Sequence, residues 1–173
     1  ADIRQLFPQV PVLALTATAT PDVVDDIQER LGFRKKNVFK KSFHRDNLQY
    51  VVRYTEKKDE QILHILSRVP GSSIIYVRNR KRAQEVAAWL IEQGMAADFY
   101  HAGLTTHERT QKQKAWKNYN GKEGIRIMVC TNAFGMGIDK PDVRLVIHHD
   151  LPDTLEAYYQ EAGRAGRDGK TAF

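Results

Sequence analysis

The sequence predicts an α/β domain in which helices cover both faces of a mostly parallel β-sheet. Short apolar runs, such as residues 73–77 and 125–130, alternate with longer segments whose apolar residues recur at helical spacing, such as residues 80–93. Strands and helices that alternate in this way are typical of parallel sheets buried between helical layers. A hydrophobic content of 42% with 28% charged residues is that of an ordinary globular protein and excludes a disordered chain.

The first elements are predicted between residues 10 and 41. Residues 10–16 form a short apolar run that is typical of a buried strand. Thr20 can cap the following helix, Pro21 suits its first position, and Gly32 suits its end. The charged segment 34–41 has no long hydrophobic period, so it is predicted to be a connector.

The rest of the chain is predicted to continue the alternation of strands and helices. The predicted order is strand 48–54, helix 59–69, strand 73–77, helix 80–93, strand 97–101, a helix from a Thr105/Glu108 capping box to about Asn118, strands 125–130 and 145–149, and a final helix capped by Asp153. Open α/β sheets bind ligands beyond the carboxyl ends of their strands. The polar loops after these strands are therefore the predicted functional region.

Charge and cysteine content restrict the class of partner. A net charge of +6 and a pI near 9.4 favour a polyanion, nucleic acid first, although a merely basic soluble protein has the same charge. Cys130 is the single cysteine, so no disulfide can form within the chain, and its place in an apolar run indicates packing. No apolar run approaches the roughly 18 residues of a membrane span, and the opening residues lack the layout of a signal peptide.

The segment 158–169 carries the strongest functional pattern. If it is helical, Gln160, Arg164 and Arg167 lie on one face, with Gly163 and Gly166 beside the arginines. Guanidinium groups pair bidentately with phosphate oxygens, and glycine leaves the backbone open to a ligand. The pattern therefore predicts a polyphosphate site. The alternative interpretation is a solvated basic helix end, which the helix dipole also favours.

A complete nucleotide-hydrolysing site is not expected in this sequence. The run that ends in Gly169, Lys170 and Thr171 resembles a phosphate-binding loop, but Gly163 stands one residue too far from Gly169, and the segment follows a helix. No Asp-Glu-x-His motif occurs either. Because a phosphate cradle and a carboxylate for Mg²⁺ are both missing, the chain is expected to be inactive alone.

Several blocks resemble the motifs of superfamily 2 helicases in the form found in RecQ DNA helicases. Residues 158–169 resemble the last motif of the family, and the other resembling blocks are residues 15–20, 42–48, 100–104 and 131–144. The resemblance implies a RecA-like three-layer αβα lobe. Residues 1–42 would be the tail of a first RecA-like lobe with its connector, and residues 43–173 the second lobe.

The resemblance also assigns roles at a nucleotide. Arg167 matches the arginine finger, and Arg164 matches the partner arginine that contacts the nucleotide or the facing acidic motif. Gln160 matches the glutamine that links nucleotide state to lobe closure. Asp139 matches the acid that reaches the ribose, although an ordinary turn aspartate is the alternative, and Gly137 belongs to the same cofactor-binding block.

Further residues match contacts to a single strand of DNA. The matching positions are Arg80, His101, Gly103, Thr131, Asn132 and Phe134. Two assignments keep an alternative: Phe134 can pack in the core instead of stacking on a base, and His101 can be a structural histidine. Arg78 also follows a strand, but the family pattern carries over only to Arg80. Thr16 and Thr18 match the segment that couples DNA to ATP.

These expectations combine into one leading hypothesis. The chain is expected to be a motor lobe of an ATP-dependent DNA helicase that acts on single-stranded and branched DNA inside the cell, in a bacterial nucleoid or a eukaryotic nucleus. The cofactor would be ATP with Mg²⁺, the metal being held by the first lobe. His148 and His149 are adjacent on a strand and point to opposite faces, so no zinc or other metal site is expected here. The alternatives are a non-catalytic nucleic-acid-binding module and the lobe of an RNA helicase or chromatin motor.

Overall fold

The computed structural model describes residues 5–16, 19–40, 42, 44–135 and 138–173. The chain divides into two compact units, Ala1–His44 and Arg45–Phe173. Each unit is considered by itself. No helix in the described ranges is both long enough and apolar enough to span a membrane.

The first unit contains helix α1, Pro21–Arg30. As predicted, the Thr20 side chain caps it by accepting a hydrogen bond from the Val23 backbone N–H at 3.4 Å. Gly32, just past the helix, adopts φ +60°, a conformation that favours glycine and confirms the predicted end. Residues 34–40 contain no helix or strand, in agreement with a connector.

The strand predicted at residues 10–16 is wrong. This segment has no helix or strand and joins no sheet among the described residues, and its apolar side chains are exposed, with Leu13 at 79% and Leu15 at 84%. An apolar run becomes a strand only where a neighbouring strand accepts its backbone hydrogen bonds and a second layer covers its side chains.

The second unit is an α/β fold with a parallel four-stranded sheet. Its elements in chain order are α2 Lys58–Arg68, β1 Ser72–Tyr76, α3 Arg80–Glu92, β2 Ala97–Tyr100, α4 Thr106–Lys117, β3 Ile127–Cys130, β4 Val143–His148 and α5 Leu155–Ala162. The strand order is β2-β3-β1-β4, and every pairing is parallel. The predicted fold class is confirmed.

The core lies on both faces of this sheet because neighbouring strand residues point in opposite directions. Ile75 and Val129 pack with apolar residues of α2 and α3, among them Leu66 and Leu90, on one face. On the other face, a second cluster gathers around Trp116 of α4 and includes Ile74, Met128, Cys130 and Phe134. Cys130 is fully buried, and this burial raises the pKa of its thiol, in keeping with a packing role.

Local signals gave most helix boundaries correctly. Thr105 and Glu108 form the predicted capping box, in which each side chain accepts a hydrogen bond from the backbone N–H of the other residue. Gly94 has φ +77° and follows α3. One predicted cap is wrong: the hydroxyl of Thr154, rather than the carboxylate of Asp153, accepts from the Ala157 backbone N–H at 3.1 Å.

The strand predicted at residues 48–54 is also wrong. Only Leu48 makes a bridge, to Ala172, and the residues beyond it are exposed, Val52 by 96% and Tyr54 by 97%. Its loose alternation of apolar residues is therefore not matched by a buried face.

The parallel arrangement brings four loops to one edge of the sheet. The strands end at Tyr76, Tyr100, Cys130 and His148, and the carboxyl ends of parallel strands lie at the same edge. The loops that follow carry most of the residues predicted to bind ligands.

Candidate functional site

The segment that carries Arg164 and Arg167 is a turn and not a helix. Helix α5 ends at Ala162 with Gly163 as its C-cap, and Gly166 has φ +56°. Residues 163–169 are hereafter called the arginine turn. The prediction that Gln160, Arg164 and Arg167 share one helical face is therefore wrong, because the helix ends at Ala162, before either arginine.

Arg164 lies half-buried against the loop after β3. Its Nη1 donates to the Ile138 backbone carbonyl at 3.3 Å. A Cβ on Gly135 would stand 3.0 Å from Arg164 Nη2, so the glycine lets the guanidinium lie close to the backbone. The buried Arg164 Nε has no hydrogen-bond partner among the described residues. A buried donor without a partner is costly, which suits a residue that meets a ligand.

Arg167 is more exposed and forms an ion pair with Asp139. Arg167 Nη1 donates to Asp139 Oδ1 at 2.7 Å, and the two side chains are 41% and 67% exposed. An ion pair this exposed contributes little stability, so a polyphosphate can replace Asp139 as the partner of the guanidinium at small cost. The structure thus brings together Arg164, Arg167 and Asp139, three of the residues predicted to contact nucleotide.

A second cluster joins the amino end of α3 to the loop after β2. A Cβ on Gly103 would stand 2.9 Å from Arg80 Nη1 and 3.3 Å from His101 Nδ1. His101 is 6% exposed, stacks on Phe99 with ring centroids 5.5 Å apart, and has its Nε2 3.3 Å from Gln84 Nε2. Its buried Nδ1 lacks a hydrogen-bond partner within the described ranges. Arg80, His101 and Gly103 therefore form one cluster.

The loop after β3 carries the other predicted DNA contacts, with different exposure. Asn132 is exposed, whereas Thr131 is 7% exposed. The Thr131 backbone N–H donates to the Tyr100 carbonyl at 3.2 Å, and the Thr131 carbonyl accepts from the Phe134 N–H at 3.0 Å. The first of these bonds ties the loop to the end of β2, and the second closes a turn in which Asn132 is exposed.

Phe134 requires a correction, because it is a core residue. It is 0% exposed and makes edge-on contacts with Tyr100 at 4.8 Å and with Trp116 at 5.2 Å between ring centroids. Its carbonyl accepts a hydrogen bond from the Tyr76 hydroxyl at 2.9 Å, and burial raises the pKa of that hydroxyl well above its usual range. The ring is closed off from solvent, so stacking on a DNA base is excluded in this arrangement.

Four predicted site residues lie outside these clusters or outside the described residues. Gln160 is exposed on α5, and Thr16 is exposed in the first unit. Gly137 and Thr18 lie outside the described residues.

The two adjacent histidines point to different partners, as predicted. His148 Nε2 lies 2.9 Å from Glu161 Oε2, whereas His149 Nε2 lies 3.3 Å from Asp59 Oδ1. In the part of the chain that the structure describes, no three His, Cys, Asp or Glu residues gather as a metal site would require.

Sequence reasoning missed two residues that contact the arginine turn. Arg45 donates to the carbonyls of Gly163 and Gly166, and Asn47 donates to the carbonyls of Gly166 and Lys170. The only signal in the sequence was their place in segment 42–48, which resembles the opening of a RecQ second lobe without indicating a role for either side chain.

Comparisons with known proteins identify the family to which the chain is similar. The family model of the helicase conserved C-terminal domain matches residues 57–169. The chain is 46% identical to the RecQ-like DNA helicase BLM of Xenopus laevis over 98% of its own length and 12% of that protein. It is 41% identical to the ATP-dependent DNA helicase RecQ of Pasteurella multocida over 96% of its length and 26% of that protein. A protein of Acanthamoeba polyphaga mimivirus described as a putative ATP-dependent RNA helicase is 42% identical over 98% of the chain and 31% of that protein.

A solved structure supports the fold as well. The E. coli DEAD-box protein SrmB, solved with the regulator of ribonuclease activity A, matches with a TM-score of 0.60 and 29% identity over 66% of each chain. The chain spans only 12% to 31% of the length of the three relatives described above. The family model covers most of the chain, from the start of α2 to the end of the arginine turn. The chain therefore belongs to the family of helicase conserved C-terminal domains, in the form that RecQ-type DNA helicases carry.

Proposed function

We propose that the chain is the second RecA-like lobe of an ATP-dependent DNA helicase of RecQ type, preceded in residues 1–42 by the tail of the first lobe and its connector. The observation that carries this proposal is the meeting of Arg164 and Arg167 with Gly135 and Asp139 beside the carboxyl edge of the sheet. Two guanidiniums beside open backbone suit a polyphosphate better than they suit a DNA backbone alone.

At the nucleotide, we assign different work to the two arginines. Arg167, exposed and on the outer side of the turn, would act as the finger that stabilises charge developing on the transferred phosphoryl group. Arg164, half-buried, would hold the nucleotide or the acidic motif of the first lobe. When nucleotide binds, Asp139 would release Arg167 and accept hydrogen bonds from the ribose hydroxyls. Gln160 would link the nucleotide state to closure of the lobes. Mg²⁺ would be held by the first lobe, where the resemblance to superfamily 2 helicases places the phosphate cradle and the magnesium carboxylate.

For DNA, we propose a path across the loops after β1, β2 and β3. Arg80 would neutralise a phosphate, while Asn132, Thr131 and the open backbone at Gly103 would contact the same strand. His101 would support this loop beside Gly103, where its Nδ1 is buried without a hydrogen-bond partner among the described residues. ATP binding would close the two lobes and hydrolysis would release them, with Thr16 and Thr18 coupling the two events.

The first expected result tests the DNA path. We expect the chain to bind a single-stranded oligonucleotide weakly and with an affinity that falls as salt rises, because phosphate contacts release counterions. Arg80→Ala should weaken binding and flatten the salt dependence by about one counterion. Arg53→Ala removes the same charge from an exposed residue outside the proposed path and serves as the control. Fluorescence anisotropy from low to high salt measures both. Equal losses for the two variants, or tight binding that salt does not change, would contradict the path.

The second expected result concerns hydrolysis. This chain alone should show negligible ATP turnover even with single-stranded DNA, because its sequence lacks a phosphate-binding loop and an Asp-Glu-x-His motif. A coupled assay for released phosphate, with and without DNA, measures this. DNA-stimulated turnover that disappears in Arg167→Ala would show that the chain carries a complete active site.

A second candidate is an RNA motor, which the relative described as an RNA helicase favours. The 2′-hydroxyl distinguishes the two substrates. Competition between DNA and RNA oligonucleotides of one sequence, read as stimulation of ATP turnover in the complete helicase, decides between them. A non-catalytic binding module would show no turnover with either.

A further inference from the structure

The arginine turn is held by two side chains that lie far away in the sequence. Arg45 Nη1 donates to the Gly163 carbonyl at 3.2 Å, and Arg45 Nη2 donates to the Gly166 carbonyl. Asn47 Nδ2 donates to the Gly166 carbonyl at 2.7 Å and to the Lys170 carbonyl at 2.8 Å. One guanidinium and one amide therefore satisfy three carbonyls: one at the start of the turn, one in its middle and one just after it.

Gly166 and Asn47 fit each other closely. A Cβ on residue 166 would stand 2.5 Å from Asn47 Nδ2 and 2.8 Å from the Lys170 carbonyl, so a larger residue would displace the amide. The positive φ of +56° at Gly166 adds a conformational reason for glycine. Both the backbone conformation at position 166 and the space beside Asn47 therefore require glycine there.

Backbone hydrogen bonds fix the position of the segment that carries Arg45 and Asn47. Gln49 N–H donates to the Ala172 carbonyl at 2.9 Å, and Ala172 N–H donates to the Asn47 carbonyl at 2.9 Å. The turn is also tied to β4 and the residues before it: Gly166 N–H donates to the Val143 carbonyl at 2.8 Å, and Asp168 N–H donates to the Pro141 carbonyl at 3.1 Å. Arg45 and Asn47 therefore bind a turn that β4 and the residues before it also hold, and this leaves the turn little freedom to move.

We infer that Arg45, together with Asn47, is a positioning residue for the two arginines of the turn. The carbonyls that Arg45 binds belong to the residues immediately before Arg164 and Arg167, so a shift of either carbonyl moves a guanidinium. The inference rests on the proposed function, since it matters only if those guanidiniums meet a nucleotide.

Arg45 acts through the turn and does not itself meet the ligand. It is half-buried, and its Nη1 and Nη2 both point at backbone carbonyls. Carbonyls that follow a helix lack intrahelical donors, and a cation there satisfies them and opposes the helix dipole. Without Arg45, the Gly163 carbonyl would accept, among the described residues, only from Arg167 Nε at 3.4 Å, a long bond made by one of the residues to be positioned.

The test compares variants of the complete helicase that contains this chain. Arg45→Ala should lower kcat for DNA-stimulated ATP hydrolysis about tenfold or more, because small misplacements of a group that stabilises the transition state reduce rate strongly. KM for ATP and the Kd for single-stranded DNA should change by less than about twofold. Arg45→Lys should recover part of the loss, since one ammonium can satisfy one of the two carbonyls. Arg53→Ala, an exposed arginine nearby in sequence, should leave kcat unchanged.

A double-mutant cycle separates this inference from the proposed function. If Arg45 acts through the arginine turn, Arg45→Ala should cost little in a background that already carries Arg167→Ala. Independent, multiplying losses would overturn the inference, as would full kcat in Arg45→Ala beside a strong loss in Arg167→Ala. Full turnover in Arg167→Ala would instead overturn the proposed function. Should Arg45→Ala fail to fold, the same cycle with Arg45→Lys decides, because normal kcat in that variant would also overturn the inference.

Discussion

Arg167→Ala in the complete helicase should lower kcat for DNA-stimulated ATP hydrolysis about 100-fold or more, since arginine fingers contribute about 10³- to 10⁵-fold elsewhere. The physical reason is that the guanidinium is needed most where negative charge develops in the transition state. In the ground state it has a ready partner in Asp139, 2.7 Å away, so ATP affinity should change much less. Steady-state turnover beside equilibrium binding of a labelled ATP analogue measures the two effects separately.

Two further variants sharpen this expectation. Arg167→Lys should rescue poorly, since a compact ammonium cannot reproduce a planar fork with two parallel donors. Arg164→Ala should reduce turnover and also disturb the loop after β3, because Arg164 packs on Gly135 and donates to the Ile138 carbonyl. Normal hydrolysis in Arg167→Ala with loss in Arg164→Ala would reverse the two assignments. Full turnover in both would mean that the turn is structural and that the motor proposal has lost its main support.

The sequence predicted the sheet of the second unit well because its strands are buried on both faces. Residues 73–77 and 125–130 are short, continuous and apolar, and they became β1 and β3 in the middle of the sheet. Residues 10–16 and 48–54 look similar in composition, yet neither forms a strand. A strand needs a partner that its own residues do not specify, so the apolar pattern alone could not distinguish these cases.

The sequence identified residues that the structure brings together, but it did not predict the conformation of the segment that carries the two arginines. Motif order brought Arg164, Arg167 and Asp139 forward as a group, and the structure places them together. The predicted helical face was wrong because residue spacing cannot reveal that the helix ends at Ala162, with Gly163 as its C-cap. Arg45 was missed because a bond from a side chain to a carbonyl more than a hundred residues away leaves no period or composition to detect.

Phe134→Ala should destabilise the second unit by about 3–5 kcal/mol, the usual cost of deleting a fully buried phenylalanine ring. The ring lies between Tyr100 and Trp116, and its cluster draws residues from all four strands and helix α4, so collapse around the cavity is restricted. Phe134→Leu should cost less, since it keeps most of the apolar volume. Urea denaturation followed by tryptophan fluorescence measures the midpoint, and Trp116 reports from beside the cavity.

The same variant decides between packing and base stacking. A ring that stacks on DNA would be exposed, so removing it would weaken DNA binding by about 1–3 kcal/mol and leave the urea midpoint almost unchanged. A packed ring gives the opposite result: Phe134→Leu should keep salt-dependent DNA binding close to that of the unchanged chain while the midpoint falls. Ile91→Ala is the matched control for stability, because Ile91 is apolar but 54% exposed, and its loss should cost well under half as much as the loss of Phe134. A normal midpoint in Phe134→Ala would show that this ring does not hold the core together, and the assignment of Phe134 to DNA would have to be restored.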